Sequence, residues 1–303
     1  MITAKPVPRQ ASRWQRELAQ AIGDPAELLQ ELDLDPALLP AARAASACFP
    51  LRVPRGFVTR MRKGDPNDPL LRQVLPLGAE LAEAPGFGTD PTGDQAALAA
   101  PGVLHKYHGR ALLLVTGACA VHCRYCFRRE FPYAESGASA ARWRPALAYL
   151  RDDPSLREAI LSGGDPLSLS DWRLGSLLAE LDRIPHLERL RIHSRQPIVL
   201  PERIDDGLLA VLARTRLQRV LVVHANHPLE IDGTVRAALR RLAAAGVILL
   251  NQAVLLRGIN DSAAVLTGLS EALFAAGVLP YYLHLLDPVR GAAHFEVKES
   301  EAS

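Results

Sequence analysis

Three of the four cysteines of this chain fall within eight residues, in the stretch GACAVHCRYCFRR at residues 117–129. Cys119, Cys123 and Cys126 follow the apolar run RALLLVT, which is typical of a buried strand. A structural zinc site has four ligands, and His122 would have to be the fourth, but it adjoins Cys123 in a short loop where joint tetrahedral ligation is awkward. Three thiolates suit an iron–sulfur cluster that leaves one iron open for a substrate or cofactor. The spacing therefore favours such a cluster over a zinc site.

Polar residues also collect where other short apolar runs end. These clusters are SGGD from Ser162, HSRQP from His193, HANHP from His224, NQ at Asn251 and LLDP from Leu285. Amphipathic stretches of helical period lie between the runs, so strand and helix alternate about six times. This alternation predicts an α/β fold in which helices cover a parallel sheet, either open or closed into a partial barrel. The strand-end position of the polar residues favours the barrel, because (β/α) barrels build their sites from those loops.

The chain divides into two regions of different composition. Residues 1–104 read as an irregular arm of short helices and Pro/Gly-rich loops, and residues 105–303 read as the barrel. Cys48, alone in the arm, is most simply a small buried hydrophobe.

Charge and hydropathy exclude several functional classes. The chain has 35 basic and 33 acidic residues, so no general field attracts nucleic acid. It opens with a polar, proline-interrupted stretch, and no apolar run approaches the length of about 20 residues that spans a bilayer. We therefore expect a cytoplasmic protein that binds neither nucleic acid nor membranes, in a reducing compartment where clustered cysteines serve metal binding or catalysis.

The cysteine motif and the strand ends together resemble a known family. CxxxCxxC followed by Phe127 resembles the radical S-adenosylmethionine superfamily, and SGGD one strand later matches its Gly-Gly-acid motif. The stretches LHKYHGRALLLVTGACAVHCRYCFRREFPY, RIHSRQPIVLPERI, HANHPLEI, NQAVLLRGIND and YYLHLLDPVRGAAHFEV are similar to the lysine 2,3-aminomutase family. KYHGR, VTGAC and CFRREFPY are closest to the branch of the family called elongation factor P β-lysylation protein. The resemblance implies a partial (β/α)6 radical-SAM barrel of TIM type with an N-terminal helical arm.

The resemblance also implies cofactors: a [4Fe–4S] cluster, S-adenosylmethionine and pyridoxal 5′-phosphate. It assigns the cluster to the three loop cysteines, Cys119, Cys123 and Cys126. Positions matched to S-adenosylmethionine are Phe127, Gly163, Gly164, Asp165, Ser194, Arg195, His224 and Gln252. For polar residues at strand ends, the alternative is a hydrogen-bonded core group without a ligand.

Further positions match the coenzyme phosphate and the substrate. Lys106, Tyr107 and Arg110 match the segment that binds the phosphate of pyridoxal phosphate; without the resemblance, HKYHGR would read as a solvated basic loop. Arg128 matches the arginine that binds the carboxylate of lysine, and Asp287 matches an aspartate that binds its distal ammonium. Charges at both ends of a lysine would fix its register.

The lysine that forms the Schiff base with pyridoxal phosphate is expected beyond Ser303. In the family this lysine lies in a Gly-rich segment near the C-terminus, and none of Lys5, Lys63, Lys106 or Lys298 lies in such a segment. We expect the 303-residue chain to bind the cluster and S-adenosylmethionine without forming that Schiff base, and therefore to turn over lysine poorly or not at all, whereas a C-terminally extended form should restore both.

The activity that the resemblance implies is isomerisation of L-lysine to β-lysine by movement of the 2-amino group to carbon 3. The branch implies that β-lysine passes to elongation factor P through a separate lysyl ligase, and that a reductant such as flavodoxin or ferredoxin supplies electrons. One alternative is a catabolic aminomutase that acts on free lysine. The other is a zinc-stabilised binding module without enzymatic activity.

Overall fold

The computed structural model describes residues 11–133 and 143–301. The arm begins with helices α1 Arg13–Ala19, α2 Pro25–Glu31, α3 Leu39–Cys48 and α4 Arg55–Val58. The side chain of Asp24 accepts a hydrogen bond from the Ala26 N–H at 2.9 Å and so caps α2. The helices predicted for the arm are confirmed, while Lys5 lies outside the described residues.

The arm has an apolar core of its own, and that core reaches the cysteine loop. It includes Trp14, Leu28 and Phe57 of the arm together with Ala120 and Val121 of the loop. Apolar contact with the arm therefore covers one side of the loop and keeps water from it.

The expectation that Cys48 is buried was wrong. Cys48 is the last residue of α3 and is exposed. The buried positions of this helix are Ala42 and Ala45, so the helical period turns Cys48 toward solvent.

An eight-stranded sheet runs in the order β1 to β8. Its strands are β1 Leu98–Ala100, β2 Val103–Tyr107, β3 Arg110–Thr116, β4 Glu158–Gly163, β5 Arg189–Ser194, β6 Gln218–His224, β7 Ile248–Val254 and β8 Leu279–His284. β1, β2 and β3 pair antiparallel, and β3 through β8 pair parallel. The parallel strands are those that the sequence predicted, whereas the hairpin of β1 and β2 was not predicted.

Helices follow the parallel strands and cover the sheet on one side. They are α5 Trp143–Asp152, α6 Asp171–Asp182, the short α7 Gln196–Val199, α8 Asp206–Ala213, α9 Gly233–Ala244 and α10 Ala263–Ala275. α6 shows why these segments are helical: Ser170 caps its start, and Leu174, Leu177, Leu178 and Leu181 form its buried stripe. Each such leucine contributes about 1.5–3 kcal/mol on burial.

The other face of the sheet is polar, and β5 shows how the sequence produces it. Leu190 and Ile192 point into the core beneath the helices, so Arg191 and His193 between them point to the concave face. Among the described residues β8 pairs with β7 and not with β1, so the sheet curves without closing. The partial TIM-like α/β fold is confirmed. No helix in the described ranges is long and apolar enough to cross a membrane.

Candidate active site

The cysteine loop follows β3, as predicted, and its sulfurs are free and partly buried. Burial raises the pKa of the Cys119 thiol and raises that of Cys126 to about 11, so both thiols are protonated in the metal-free chain. A bound metal ion reverses this preference, because a coordinating thiol is deprotonated.

His122, the alternative fourth ligand, is held by the arm. Its Nδ1 donates to the Pro50 carbonyl at 2.8 Å, and its ring stacks on Phe49 with the ring centroids 5.2 Å apart. In the part of the chain that the structure describes, no three His, Cys, Asp or Glu side chains converge on one metal ion. With its Nδ1 bonded to Pro50, His122 has only its Nε2 left for a metal ion.

The Gly-Gly-Asp strand end packs directly against the cysteine loop. Gly164 N donates to Thr116 O at 2.7 Å, and Asp165 N donates to Ala118 O at 2.8 Å. A Cβ on Gly163 would lie 2.4 Å from Thr116 O, and one on Gly164 would lie 2.5 Å from Ala118 O. Only glycine permits this approach, so the motif shapes the loop that carries the cysteines.

Asp165 joins the ends of β4 and β5. Its buried carboxylate accepts hydrogen bonds from Ser194 Oγ at 2.8 Å, Arg195 N at 2.9 Å, Gln196 N at 3.2 Å and Leu167 N at 3.0 Å. Burial raises its pKa although these bonds oppose the shift. The donors to Asp165 belong to this chain, so the carboxylate positions the loop after β5, including Arg195.

Arg195 places a buried positive charge beside the cysteine loop. It donates from Nη1 to Cys123 Sγ at 2.7 Å and from Nη2 to Gln73 Oε1 at 2.6 Å and Glu230 Oε2 at 3.1 Å. Arg195 therefore holds one of the three sulfurs expected to bind the cluster, and the same guanidinium is fixed by Gln73 and Glu230. Gln73 and Glu230 were not singled out from the sequence, because their contact with Arg195 joins distant segments.

The structure brings Arg128 and Lys106 to one carboxylate, that of Asp94. Arg128 Nε donates to Asp94 Oδ2 at 2.7 Å, and Lys106 Nζ donates to Asp94 Oδ1 at 2.5 Å. Arg128 Nη1 also donates to Ser162 Oγ at 3.0 Å, and the guanidinium lies 4.7 Å from the Phe127 ring centroid. Sequence reasoning missed Asp94, which lies in a Pro/Gly-rich loop without a recognisable motif.

The chain is similar in sequence to several known proteins. No family model matches the chain. The L-lysine 2,3-aminomutase of Escherichia coli strain K12 is 56% identical over 290 residues, which are 95% of this chain and 84% of the relative. That of Haemophilus influenzae is 48% identical over 302 residues, 100% of this chain and 89% of the relative. The chain belongs to the lysine 2,3-aminomutase family.

A more distant member supports the same assignment. The L-lysine 2,3-aminomutase of Clostridium subterminale is 39% identical over 246 residues, which are 81% of this chain and 59% of the relative. As a lysine 2,3-aminomutase family member the chain is an isomerase of the radical S-adenosylmethionine class, and the family's cofactors are a [4Fe–4S] cluster, S-adenosylmethionine and pyridoxal phosphate.

Buried polar atoms without partners fit these cofactors. Arg195 Nε and the Nε2 atoms of His193 and His224 are buried, and no hydrogen-bond partner for them occurs in the described ranges. Such atoms normally find a partner, and a polar cofactor in the barrel would supply one. His224 and Gln252 are register neighbours on β6 and β7, with His224 Nδ1 and Gln252 Nε2 3.5 Å apart.

The residues expected at the phosphate make two separate sets of contacts. Lys106 bonds to Asp94 and, at 2.7 Å, to the Thr92 carbonyl. The Arg110 guanidinium instead lies 4.6 Å from the centroid of the exposed Tyr107 ring. Arg110 borders a cavity of about 510 Å³ that His108, Gly109, Ser155, Arg157, Glu158 and Arg189 also line.

Asp287 follows β8 and is partly buried. Burial raises its pKa, and the nearby charge of Asp94 adds to that shift, while His284, Lys106 and Arg128 oppose it.

Proposed function

We propose that this protein, in a form that carries the family's Schiff-base lysine, converts L-lysine to β-lysine by moving its 2-amino group to carbon 3, and that Arg128 and Asp287 hold the two ends of the substrate. Family membership supports the reaction, since relatives named L-lysine 2,3-aminomutase align over nearly the whole chain. The observation that supports the substrate register is the placement of both groups after parallel strands of one sheet: the buried Arg128 guanidinium lies after β3 beside the loop cysteines, and Asp287 follows β8.

The cofactors supply the bond-breaking chemistry. When bound, the cluster and S-adenosylmethionine supply a carbon radical, and pyridoxal phosphate supplies the group through which nitrogen migrates. Cys119, Cys123 and Cys126 would hold the cluster, and Lys106 and Arg110 would offer positive charge to the phosphate.

The chain's own residues bind and orient the substrate. Nε and Nη1 of Arg128 are used by Asp94 and Ser162, so Nη2 is available to donate to the carboxylate of lysine. Asp287 accepts from the distal ammonium, and the two charge-assisted contacts fix the register of carbons 2 and 3. Ala120 and Val121 are buried against the arm, which keeps water from one side of the loop.

The product would serve modification of elongation factor P through a separate lysyl ligase. This part of the proposal is supported by the sequence details KYHGR, VTGAC and CFRREFPY. A reductant such as flavodoxin or ferredoxin would supply the electron. Deletion of the gene, followed by mass measurement of intact elongation factor P, tests the role: loss of the β-lysyl mass supports it, and an unchanged mass favours lysine catabolism.

The reaction itself is tested on the protein in a form that carries the family's Schiff-base lysine, reconstituted anaerobically and supplied with S-adenosylmethionine, pyridoxal phosphate and a chemical reductant. Chromatography of derivatised amino acids should show β-lysine formed from L-lysine, whereas the 303-residue chain alone should form little or none. A Cys123→Ala variant of the lysine-carrying form is the matched control and should form none. Equal β-lysine with and without Cys123, or none from the lysine-carrying form at full iron content, would count against the proposed reaction.

A further inference from the structure

Asp94 lies between two cations that the proposed function gives to different ligands. Its Oδ2 accepts from Arg128 Nε at 2.7 Å and its Oδ1 from Lys106 Nζ at 2.5 Å, so each carboxylate oxygen holds one cation. Asp94 is only 2% exposed, and Arg128 is 8% exposed. These three charged side chains connect the loop before β1, the strand β2 and the cysteine loop, which are separate segments of the chain.

The charge of Asp94 is maintained in this environment. Burial opposes ionisation of its carboxyl group, but Arg128 and Lys106 outweigh burial and hold its pKa below the ordinary value. A charged acceptor makes short, strong hydrogen bonds and also offsets repulsion between two neighbouring cations.

We propose that Asp94 is a positioning residue that sets the Arg128 guanidinium for the substrate carboxylate and the Lys106 ammonium for the coenzyme phosphate, and so couples the two subsites. The inference rests on the proposed roles of Arg128 and Lys106. Arg128 keeps Nη2 for a ligand because Asp94 and Ser162 occupy Nε and Nη1. Lys106, a flexible side chain, is fixed by Asp94 together with the Thr92 carbonyl.

The effect of neutralising Asp94 is set by two opposing terms. Loss of a negative charge favours binding of anions, whereas release of two long side chains adds an ordering cost to each binding event. We expect the added cost of ordering the two side chains to exceed the gain from removing the negative charge. Asp94→Asn should therefore weaken both lysine and pyridoxal phosphate, each by about tenfold.

Ser162→Ala is the matched comparison, because Ser162 accepts a hydrogen bond from Arg128, and no hydrogen bond between Ser162 and Lys106 occurs among the described residues. This variant should weaken lysine and leave the affinity for pyridoxal phosphate unchanged. Asp94→Glu keeps the charge and should weaken both ligands by less than Asp94→Asn does. It also keeps the inference testable if Asp94→Asn fails to fold, because both affinities must still move together.

The measurements use the full chain, reconstituted with iron and sulfide and kept without reductant so that no turnover occurs. Equilibrium dialysis with radiolabelled lysine, in the absence of coenzyme, gives one dissociation constant, and absorbance titration with pyridoxal phosphate gives the other. Iron content and the unfolding midpoint identify variants that have lost structure. Affinity for only one ligand affected by Asp94→Asn, neither affected, or tighter binding of either would overturn the inference.

Arg128→Lys in the same dialysis separates this inference from the proposed function. If Arg128→Lys leaves lysine binding intact, the assignment of the substrate carboxylate to Arg128 is wrong, and the inference falls with it. If Arg128→Lys weakens lysine while Asp94→Asn changes neither affinity, the inference alone is wrong.

Discussion

The loop cysteines differ in what surrounds each sulfur, although the sequence spaces them as one motif. Cys123 receives a hydrogen bond from Arg195 at 2.7 Å, while burial raises the pKa of Cys119 and of Cys126. Metal binding requires thiolates and releases their protons. Assembly of the cluster must therefore remove protons from the buried thiols of Cys119 and Cys126.

Substitution of the loop cysteines should remove the cluster. Cys119→Ala, Cys123→Ala and Cys126→Ala should each lose the broad visible absorbance and most of the bound iron after reconstitution, because an open iron site needs three thiolates. Cys48→Ala is the matched control, since Cys48 is exposed at the end of α3. A loop variant that kept full iron content, or a Cys48 variant that lost it, would contradict the ligand assignment.

The two ends of the substrate can be separated by changing the ligand. Asp287→Asn removes the carboxylate proposed to bind the distal ammonium, so it should weaken lysine by about tenfold and leave norleucine, which lacks that ammonium, unchanged. Arg128→Lys loses the planar guanidinium and should weaken both amino acids. Competition dialysis against labelled lysine measures both effects. Equal loss of lysine and norleucine in the Asp287 variant would remove Asp287 from the ammonium site.

The roles of residues could be predicted where those residues form a motif of fixed spacing in the sequence. The cysteines and SGGD are local motifs whose chemistry survives without knowledge of the fold. Asp94 is different: it reaches Arg128 across 34 residues and Lys106 across 12. Asp94 in TDPTGDQ has no neighbouring motif that indicates those contacts, so only the tertiary structure identifies it.

Among the secondary-structure elements, the end of strand β4 is in direct contact with the cysteine loop. Gly163 has φ +121°, in the region that L side chains rarely adopt, and its Cβ would meet the Thr116 carbonyl at 2.4 Å. Gly163→Ala should therefore lower the free energy of unfolding by about 2 kcal/mol or more, since strain and the clash act together. Chemical denaturation measures the change.

Gly233→Ala is the comparison for that prediction. Gly233 begins α9, and an added Cβ there has no atom within 4 Å. The substitution should be neutral or stabilise the chain by up to about 1 kcal/mol, because alanine restricts the unfolded chain more than glycine. Equal destabilisation by both alanines would show that the close approach at Gly163 is not what requires glycine.

The regular elements were predictable because their patterns are periodic. The six parallel strands are apolar runs, and the helices between them have capping residues and leucine stripes. The hairpin of β1 and β2 was missed because AALAAPGVLHKY is short, alanine-rich and interrupted by Pro-Gly. β1 forms a strand by pairing with β2, and β2 pairs in turn with β3. Such pairing depends on the tertiary context and not on local propensity alone.

On the scale of the whole molecule, the concave face gathers positive charge that the helix-side core excludes. Arg191 Nε donates to Glu158 Oε1 at 2.6 Å, which pairs one of these charges. His193 lies beside them with its pKa lowered to about 3, first by burial and then by Arg191, Arg128, His284 and Arg110. The barrel therefore holds His193 neutral in the chain without cofactors.

This neutral histidine makes the stability of the chain depend on pH. In the unfolded chain His193 titrates near pH 6.5, whereas the folded chain does not protonate it until about pH 3. Between these values the unfolded state binds an extra proton, so the free energy of unfolding falls as the pH falls from 7.5 to 5.5. The loss attributable to His193 is about 1.4 kcal/mol at pH 5.5.

His193→Gln removes the titrating ring, so this variant should lose about 1.4 kcal/mol less than the parent chain over that interval. Anaerobic urea unfolding at both pH values gives the comparison, with His108→Gln in the exposed turn between β2 and β3 as the control, which should follow the parent. If His193→Gln loses as much stability as the parent between pH 7.5 and 5.5, the ring is not held neutral by the barrel.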